Sequence, residues 1–181
     1  MRPGRLIAVV GPSGVGKDSI MGGLKAAVPD LRLVRRTITR APGLGGEDYD
    51  AVSPDAFGRA ARAGAFCLQW TSHGLSYGIP ADVLDDTRQG RDCLANLSRG
   101  ALLEASAVFP ALEVLNITAS PEVLARRLAG RGRESAAEIA ARLEQAGRPL
   151  PAGIDAIDIR NDGALEESVS QALAALHPVR A

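Results

Sequence analysis

A lysine behind closely spaced glycines, fed by an apolar run, can hold phosphate oxygens. Gly11, Pro12, Ser13, Gly14, Val15, Gly16, Lys17 and Asp18 follow Leu6 to Val10 in this way. The glycines let backbone N–H groups converge on phosphate. A helix opening at Lys17 adds its positive dipole end, and the Lys17 ammonium can reach the β and γ phosphates. Ser19, in the same first turn, completes the expected nucleotide-binding set. One position departs from the motif: Asp18 stands where Ser or Thr is expected. The alternative is a glycine-rich turn without a ligand, which the spacing and the preceding strand argue against.

Phosphoryl transfer is mostly positioning and charge neutralisation, so further cations and an acceptor site are required. Arg127, Arg131 and Arg133, beside Gly130 and Gly132, are candidates to close over the phosphates. The alternative for them is a solvated helix face. Arg36, Thr37, Thr39 and Arg40 are candidates to hold an anionic acceptor, because guanidinium forks match phosphate oxygens and hydroxyls add donors; the alternative is an exposed basic strand edge. His73 and Tyr77 either line the same site or are ordinary packed aromatics. No helix carries histidine and carboxylate at metal-ligand spacing, and no Gly-x-Ser-x-Gly elbow occurs, so protease and hydrolase readings are weak. No general base is evident. A phosphate acceptor does not need one, since its oxygen is already ionised near neutral pH.

The elements that must position these residues read as alternating strands and helices. Strands are expected at Arg5 to Val10, Leu31 to Val34, Ala65 to Ser72, Asp92 to Leu97, Leu112 to Thr118 and Ile154 to Ile159. Helices are expected at Lys17 to Val28, from the Ser53-Pro54 cap to about Ala63, Pro80 to Gln89 and Arg99 to Ala107. Further helices are expected at Val123 to Ala129, from the Ser135/Glu138 capping box to Ala146, and at Ala164 to Leu176. This alternation implies an α/β fold with a parallel sheet flanked by helices. With 181 residues, 46% hydrophobic and 23% charged, the chain suits one globular domain. Lys plus Arg equals Asp plus Glu at 21 each, which argues against general nucleic-acid binding. Cys67 and Cys93 lie in apolar runs without metal spacing and are expected as buried thiols. Met1 to Gly4 is too short for a signal n-region, and Leu6 to Val10 is only a strand's length. A cytoplasmic protein with no membrane partner is expected; the residues leave the oligomeric state open.

Taken together, the residues resemble the guanylate kinase branch of the nucleoside monophosphate kinase family, over nearly the whole chain. The resemblance rests on Gly11 to Lys17, Thr39-Arg40, Asp48-Tyr49, Tyr77-Gly78, Arg126-Arg127-Leu128 and Arg131-Gly132. It implies a P-loop NTPase fold with a core at 1–34, 91–129 and 148–181, an acceptor-binding insert at 35–90 and a lid at 130–147. ATP and Mg²⁺ are the implied cofactors. Arg36, Thr39, Arg40, Asp48, His73 and Tyr77 are the implied acceptor residues, and Lys17, Arg127, Arg131 and Arg133 the catalytic ones. Asn161, after the last strand, falls either near the adenine end or on a surface turn.

Two departures point away from guanylate. Gly43 replaces the family's second acceptor arginine, and the strand end Cys93 to Gly100 lacks its carboxylates. With Gly-Lys-Asp at the loop, Gly45-Gly46-Glu47-Asp48, and His73 to Pro80, the chain is more similar to the ribose 1,5-bisphosphate phosphokinases. That similarity implies transfer of the ATP γ-phosphoryl to the 1-phosphate of ribose 1,5-bisphosphate, giving 5-phosphoribosyl 1-diphosphate within phosphonate breakdown. A small-molecule sugar phosphate is then the partner, and Asp18 the expected Mg²⁺ ligand. The competing expectations are a guanylate or other nucleoside monophosphate kinase, and a non-catalytic interaction module of the same fold. The intact loop glycines and lysine argue against the second.

Overall fold

The computed structural model describes residues 2–44 and 46–176; Met1, Gly45 and the end of the expected core, 177–181, lie outside them. β1 (Leu6–Val10) is buried along its entire length. Leu6, Ala8 and Val10 enter one apolar cluster while Ile7 and Val9 enter another, so every side chain must be apolar. β7 (Cys93–Asn96) and β8 (Leu112–Thr118) flank it in parallel. β2 (Arg32–Leu33) lies outside β7 and β9 (Ile157–Arg160) outside β8, giving the order β2-β7-β1-β8-β9. The crevice at the carboxyl ends of such strands is where ligands bind in open α/β sheets.

One face is covered by α1 (Lys17–Ala27), α5 (Pro121–Arg131) and α7 (Leu165–Ala175). The other carries α3 (Asp82–Arg88) and α4 (Leu102–Val108). α1 and α7 approach so closely that a Cβ on Gly23 would lie 2.5 Å from Val169 Cγ2. A larger residue there would push the helix carrying the phosphate loop off its neighbour.

A second sheet, in the order β4-β3-β6-β5, meets the segment after β7 through Trp70 of β5, which donates to Ser98. It is built from β3 (Thr37–Ile38), β4 (Asp50–Ala51), β5 (Phe66–Ser72) and β6 (Leu75–Pro80), with α2 (Pro54–Arg62) between β4 and β5. α2 starts as expected, with Ser53 accepting from the Ala56 N–H and Pro54 in the first turn. α6 (Ala136–Ala146) also starts on its expected capping box, Ser135 and Glu138 exchanging bonds.

Several boundaries differ from the sequence expectation. The helix expected from Pro80 starts at Asp82, because β6 runs on through Pro80 after a two-residue hairpin turn at His73 (φ 52°) and Gly74 (φ 74°). β9 starts three residues later than expected, at Ile157. The helix expected from Arg99 opens as a 3-10 turn, Arg99–Ala101. β4, two exposed residues with no apolar pattern, had no sequence signal. The helix expected to end at Ala129 continues as α5 through Gly130 and Arg131 and stops at Gly132 (φ 62°). Cys93 is buried as expected but Cys67 is only half-buried. Burial pushes both thiols up to about 11, leaving them protonated at neutral pH. Among the described residues no helix is long and apolar enough to cross a membrane.

Candidate active site

The loop between β1 and α1 is held open by its glycines and braced from behind. Gly16 caps α1 in the left-handed region (φ 99°), and a Cβ there would meet the Asn161 amide nitrogen at 2.5 Å. Asn161, after β9, is neither a surface turn residue nor loosely placed. It is buried, donates to the Val15 carbonyl (2.9 Å) and accepts from Ser168 Oγ (2.9 Å). Lys17 Nζ donates to the Gly11 and Pro12 carbonyls at 2.9 and 3.2 Å, so it bends over the cradle. Burial pulls its ammonium down to about 8; Asp18 and Glu47 act against this, and the charges of Arg36 and Arg99 act with it. Asp18 follows in the first turn of α1, its carboxyl raised first by burial and then by the nearby Glu47 charge.

A cavity of about 370 Å³ opens beside the loop, lined by Gly14, Gly16, Ser19, Arg127, Arg131 and Asn161, with Gly163 and Leu165 behind. Three expected nucleotide contacts, Gly14, Gly16 and Ser19, two of the expected catalytic arginines and Asn161 therefore share one wall system. Arg127 also donates to the Val15 carbonyl at 3.2 Å, stiffening the loop. Arg133 is exposed beyond Gly132, outside this lining. In its place Arg142 reaches in from α6, bonded to Ser13 Oγ and paired with Glu134 at 3.3 Å. The second Glu134 oxygen is buried without a partner. Arg142 sits one turn past the capping-box glutamate, in a segment whose sequence shows only a polar helix face, so nothing singled it out.

The second sheet presents alternate residues of one extended segment, Arg36, Ile38 and Arg40, to the same side. Ile38 is fully buried with Tyr49 and Tyr77. Arg36 lies over the Tyr77 ring (4.9 Å to its centroid) and near Trp70 (6.0 Å), and those rings stack at 5.3 Å. Only 5% exposed, Arg36 is held side-on by Glu47, which accepts from both Nε and Nη2. Arg40 donates to the Tyr77 hydroxyl (3.4 Å) and lies over Tyr49 (5.4 Å). Arg36, Arg40 and Tyr77 are thus brought together, and Tyr49, Trp70 and Glu47 join them. The rest of the expected acceptor set is placed otherwise. Thr39 spends its oxygen accepting the Ser76 N–H (2.8 Å). Asp48 is exposed and paired with Arg35 at 3.1 Å, and His73 is exposed at the hairpin tip.

Comparison with known proteins agrees with this geometry. The pattern of the family described as Guanylate kinase matches residues 3–176. A protein of Ruegeria sp. (strain TM1040) named ribose 1,5-bisphosphate phosphokinase PhnN is 52% identical, over 98% of this chain and 94% of its own length. The chain belongs to the guanylate kinase family, on the ribose 1,5-bisphosphate phosphokinase branch. A protein of the same name from Agrobacterium fabrum is 44% identical over 90% of this chain and 91% of its own. In fold, the crystal structure of guanylate kinase from Anaplasma phagocytophilum matches with a TM-score of 0.68 at 22% identity, covering 97% of this chain and 85% of that one.

Against the guanylate kinases, the two departures now have a structural setting. Gly43, at the position of their second acceptor arginine, turns at φ 79° with open space around it and carries no charge. The carboxylate-free segment after β7 is engaged instead: Ser98 Oγ accepts from Trp70 Nε1 (2.8 Å), and Arg99 donates to the Gln145 and Ala146 carbonyls (3.1 and 3.3 Å). The carboxylates that act on Lys17 are Asp18 and Glu47. Mg²⁺ keeps several waters and takes one or two carboxylates plus phosphate oxygens. Asp18, with Glu47 behind it, fits that need, whereas no cluster of three or more metal-ligating side chains exists among the described residues.

Proposed function

We propose that this protein transfers the γ-phosphoryl of ATP to the 1-phosphate of ribose 1,5-bisphosphate, giving 5-phosphoribosyl 1-diphosphate and ADP in phosphonate breakdown. One observation carries the reading. Arg36, whose charge is felt at Lys17, and Arg40 lie on an aromatic wall where the Glu47 carboxylate is already committed to Arg36, an arrangement suited to hold an anion rather than deprotonate a hydroxyl. An acceptor that is itself a phosphate suits them, and the names of the relatives support the same substrate. We assign residues 35–90 as the acceptor-binding insert and residues 130–147 as the lid. As ATP chemistry, the reaction belongs in the cytoplasm.

In this mechanism the loop amides and Lys17 hold the β and γ phosphates of ATP. Arg127 and Arg131 line the nucleotide cavity, and Arg142 releases Ser13 for a phosphoryl oxygen. Arg36 and Arg40 hold the acceptor so that its oxygen approaches in line, and they neutralise the repulsion between two anions. Asp18 would hold Mg²⁺, which when bound would supply positive charge against the repulsion between the phosphoryl groups. The loop also keeps Lys17 out of bulk water, where its charge acts more strongly on phosphate.

The test is acceptor competition. With ATP and Mg²⁺ present, ribose 1,5-bisphosphate should yield ADP and a 1-diphosphate product, and equimolar GMP should not compete. Preferential ADP formation from GMP would overturn the assignment.

A further inference from the structure

Trp70 is the only tryptophan in the sequence, and it belongs to the acceptor wall. It also packs against the main core as well as the insert cluster. Its indole N–H is bonded to Ser98, at the carboxyl end of β7. The next residue, Arg99, forks onto the last carbonyls of α6, where a cation meets the negative end of the helix dipole. Both residues sit on a rigid base, since the Leu97 N–H is bonded to the Val9 carbonyl of the central strand (3.0 Å). Two adjacent side chains therefore grip two different parts of the molecule, the acceptor wall and the lid helix.

We propose that Ser98 and Arg99 form a positioning node that couples the lid helix to the acceptor wall, Arg99 fixing the pivot of α6 and Ser98 fixing Trp70. Besides its packing on α5 and on the core through Leu143 and Ala146, α6 is tied to the phosphate loop by Arg142 on Ser13, a bond to a neutral hydroxyl. A phosphate in the loop offers Arg142 a stronger, charge-assisted partner. Exchanging Ser13 for phosphate pulls on Arg142, one turn before the carboxyl-terminal end of α6 that Arg99 holds. The helix turns about that end, and the load falls on residues 98 and 99. Trp70 thereby senses a nucleotide that it does not touch, for it is not part of the nucleotide cavity lining. The functional consequence is that acceptor residues are set when ATP is in place. This inference rests on the kinase reading above.

The experiment uses Trp70 as its own reporter. ADP is titrated into the wild type and into Ser98→Ala, Arg99→Met, Arg99→Lys and the Ser98→Ala/Arg99→Met double variant. Binding is followed by calorimetry and emission by fluorescence. In the wild type, emission should change with the calorimetric isotherm. In Ser98→Ala and Arg99→Met, ADP should still bind while the emission change falls at least fivefold, and the double variant should lose no more than the single ones, as for residues acting in one chain. Arg99→Lys keeps the charge but cannot fork, so it should retain part of the response and serves where Arg99→Met does not fold. Turnover should fall about tenfold in Arg99→Met with little change in the acceptor KM, because the residue touches neither substrate. A full emission response in the variants, or none in the wild type with ADP bound, overturns the node. Failure of the wild type to bind ADP at all defeats the kinase reading itself, and the node with it.

Discussion

The two sheets of this protein are built on opposite rules. In the central sheet, β1 is apolar at every position because helices cover both faces. In the second sheet, the two-residue strand β3 is flanked by a buried Arg36 and a half-buried Arg40, and Arg36 is shielded by aromatic rings and one glutamate rather than by hydrocarbon. The first arrangement stores stability. The second stores charge where an anion can use it, and its free-energy balance is closer because desolvating Arg36 offsets much of its pairing with Glu47. The difference teaches which part of the molecule carries folding and which carries chemistry, and substitutions can test that division.

The largest effect should come from Lys17→Met, at the junction of the two. Turnover should fall about 10³-fold, roughly 4 kcal/mol of transition-state stabilisation. The melting temperature should hold or rise, since a desolvated ammonium is removed. A large loss of stability in this variant would put the loop under the central sheet's rule and break the division.

Leu115→Ala, at a fully buried position of β8, should do the reverse. About 2 to 5 kcal/mol of unfolding free energy is lost to transfer and cavity terms, measured by urea denaturation, with turnover at 25 °C nearly unchanged. Arg36→Met should raise the acceptor KM about 10- to 100-fold, about 1.4 to 2.7 kcal/mol, and leave the ATP KM within twofold. An unfolding cost as large as that of Leu115→Ala would make the insert a second core instead of a binding wall.

The smallest effect is a pH dependence. The Lys17 pKa in the free protein, about 8, lies below its unfolded value of 10.5. Between pH 8 and 9 the unfolded chain therefore binds more protons, and the Lys17 contribution to stability rises with pH. Phosphate requires the charged form, so ADP affinity should fall over the same interval. Calorimetry at pH 8 in buffers of different ionisation enthalpy should find about half a proton taken up on binding. No uptake would mean that Lys17 is already fully charged in the free protein.

Much of the site could be read from local sequence because local chemistry makes it. Gly11 to Lys17 is contiguous, the Ser135/Glu138 box spans one turn, and Ser53-Pro54 starts a helix wherever it occurs. Glu47, Arg99 and Arg142 escaped notice because each acts on a residue distant in the chain: Arg36, the end of α6, and Ser13. Thr39 was expected to serve the acceptor, but its oxygen meets the Ser76 backbone once β3 and β6 pair. Asp48 pairs with Arg35 and His73 sits exposed at the hairpin tip, placements set by the register of β4 and by the β5–β6 pairing rather than by any local pattern.

The sequence by itself determined the parallel core, the phosphate loop and the branch of the family, because apolar runs, glycine spacing and caps act over a few residues. Only the tertiary structure decided which charges face Lys17, that Asn161 braces the loop, and that Arg36 arrives at the site already held by Glu47. Those arrangements depend on where separate segments cross, and burial, which sets both the Lys17 pKa and the Arg36 pairing, exists only once they have.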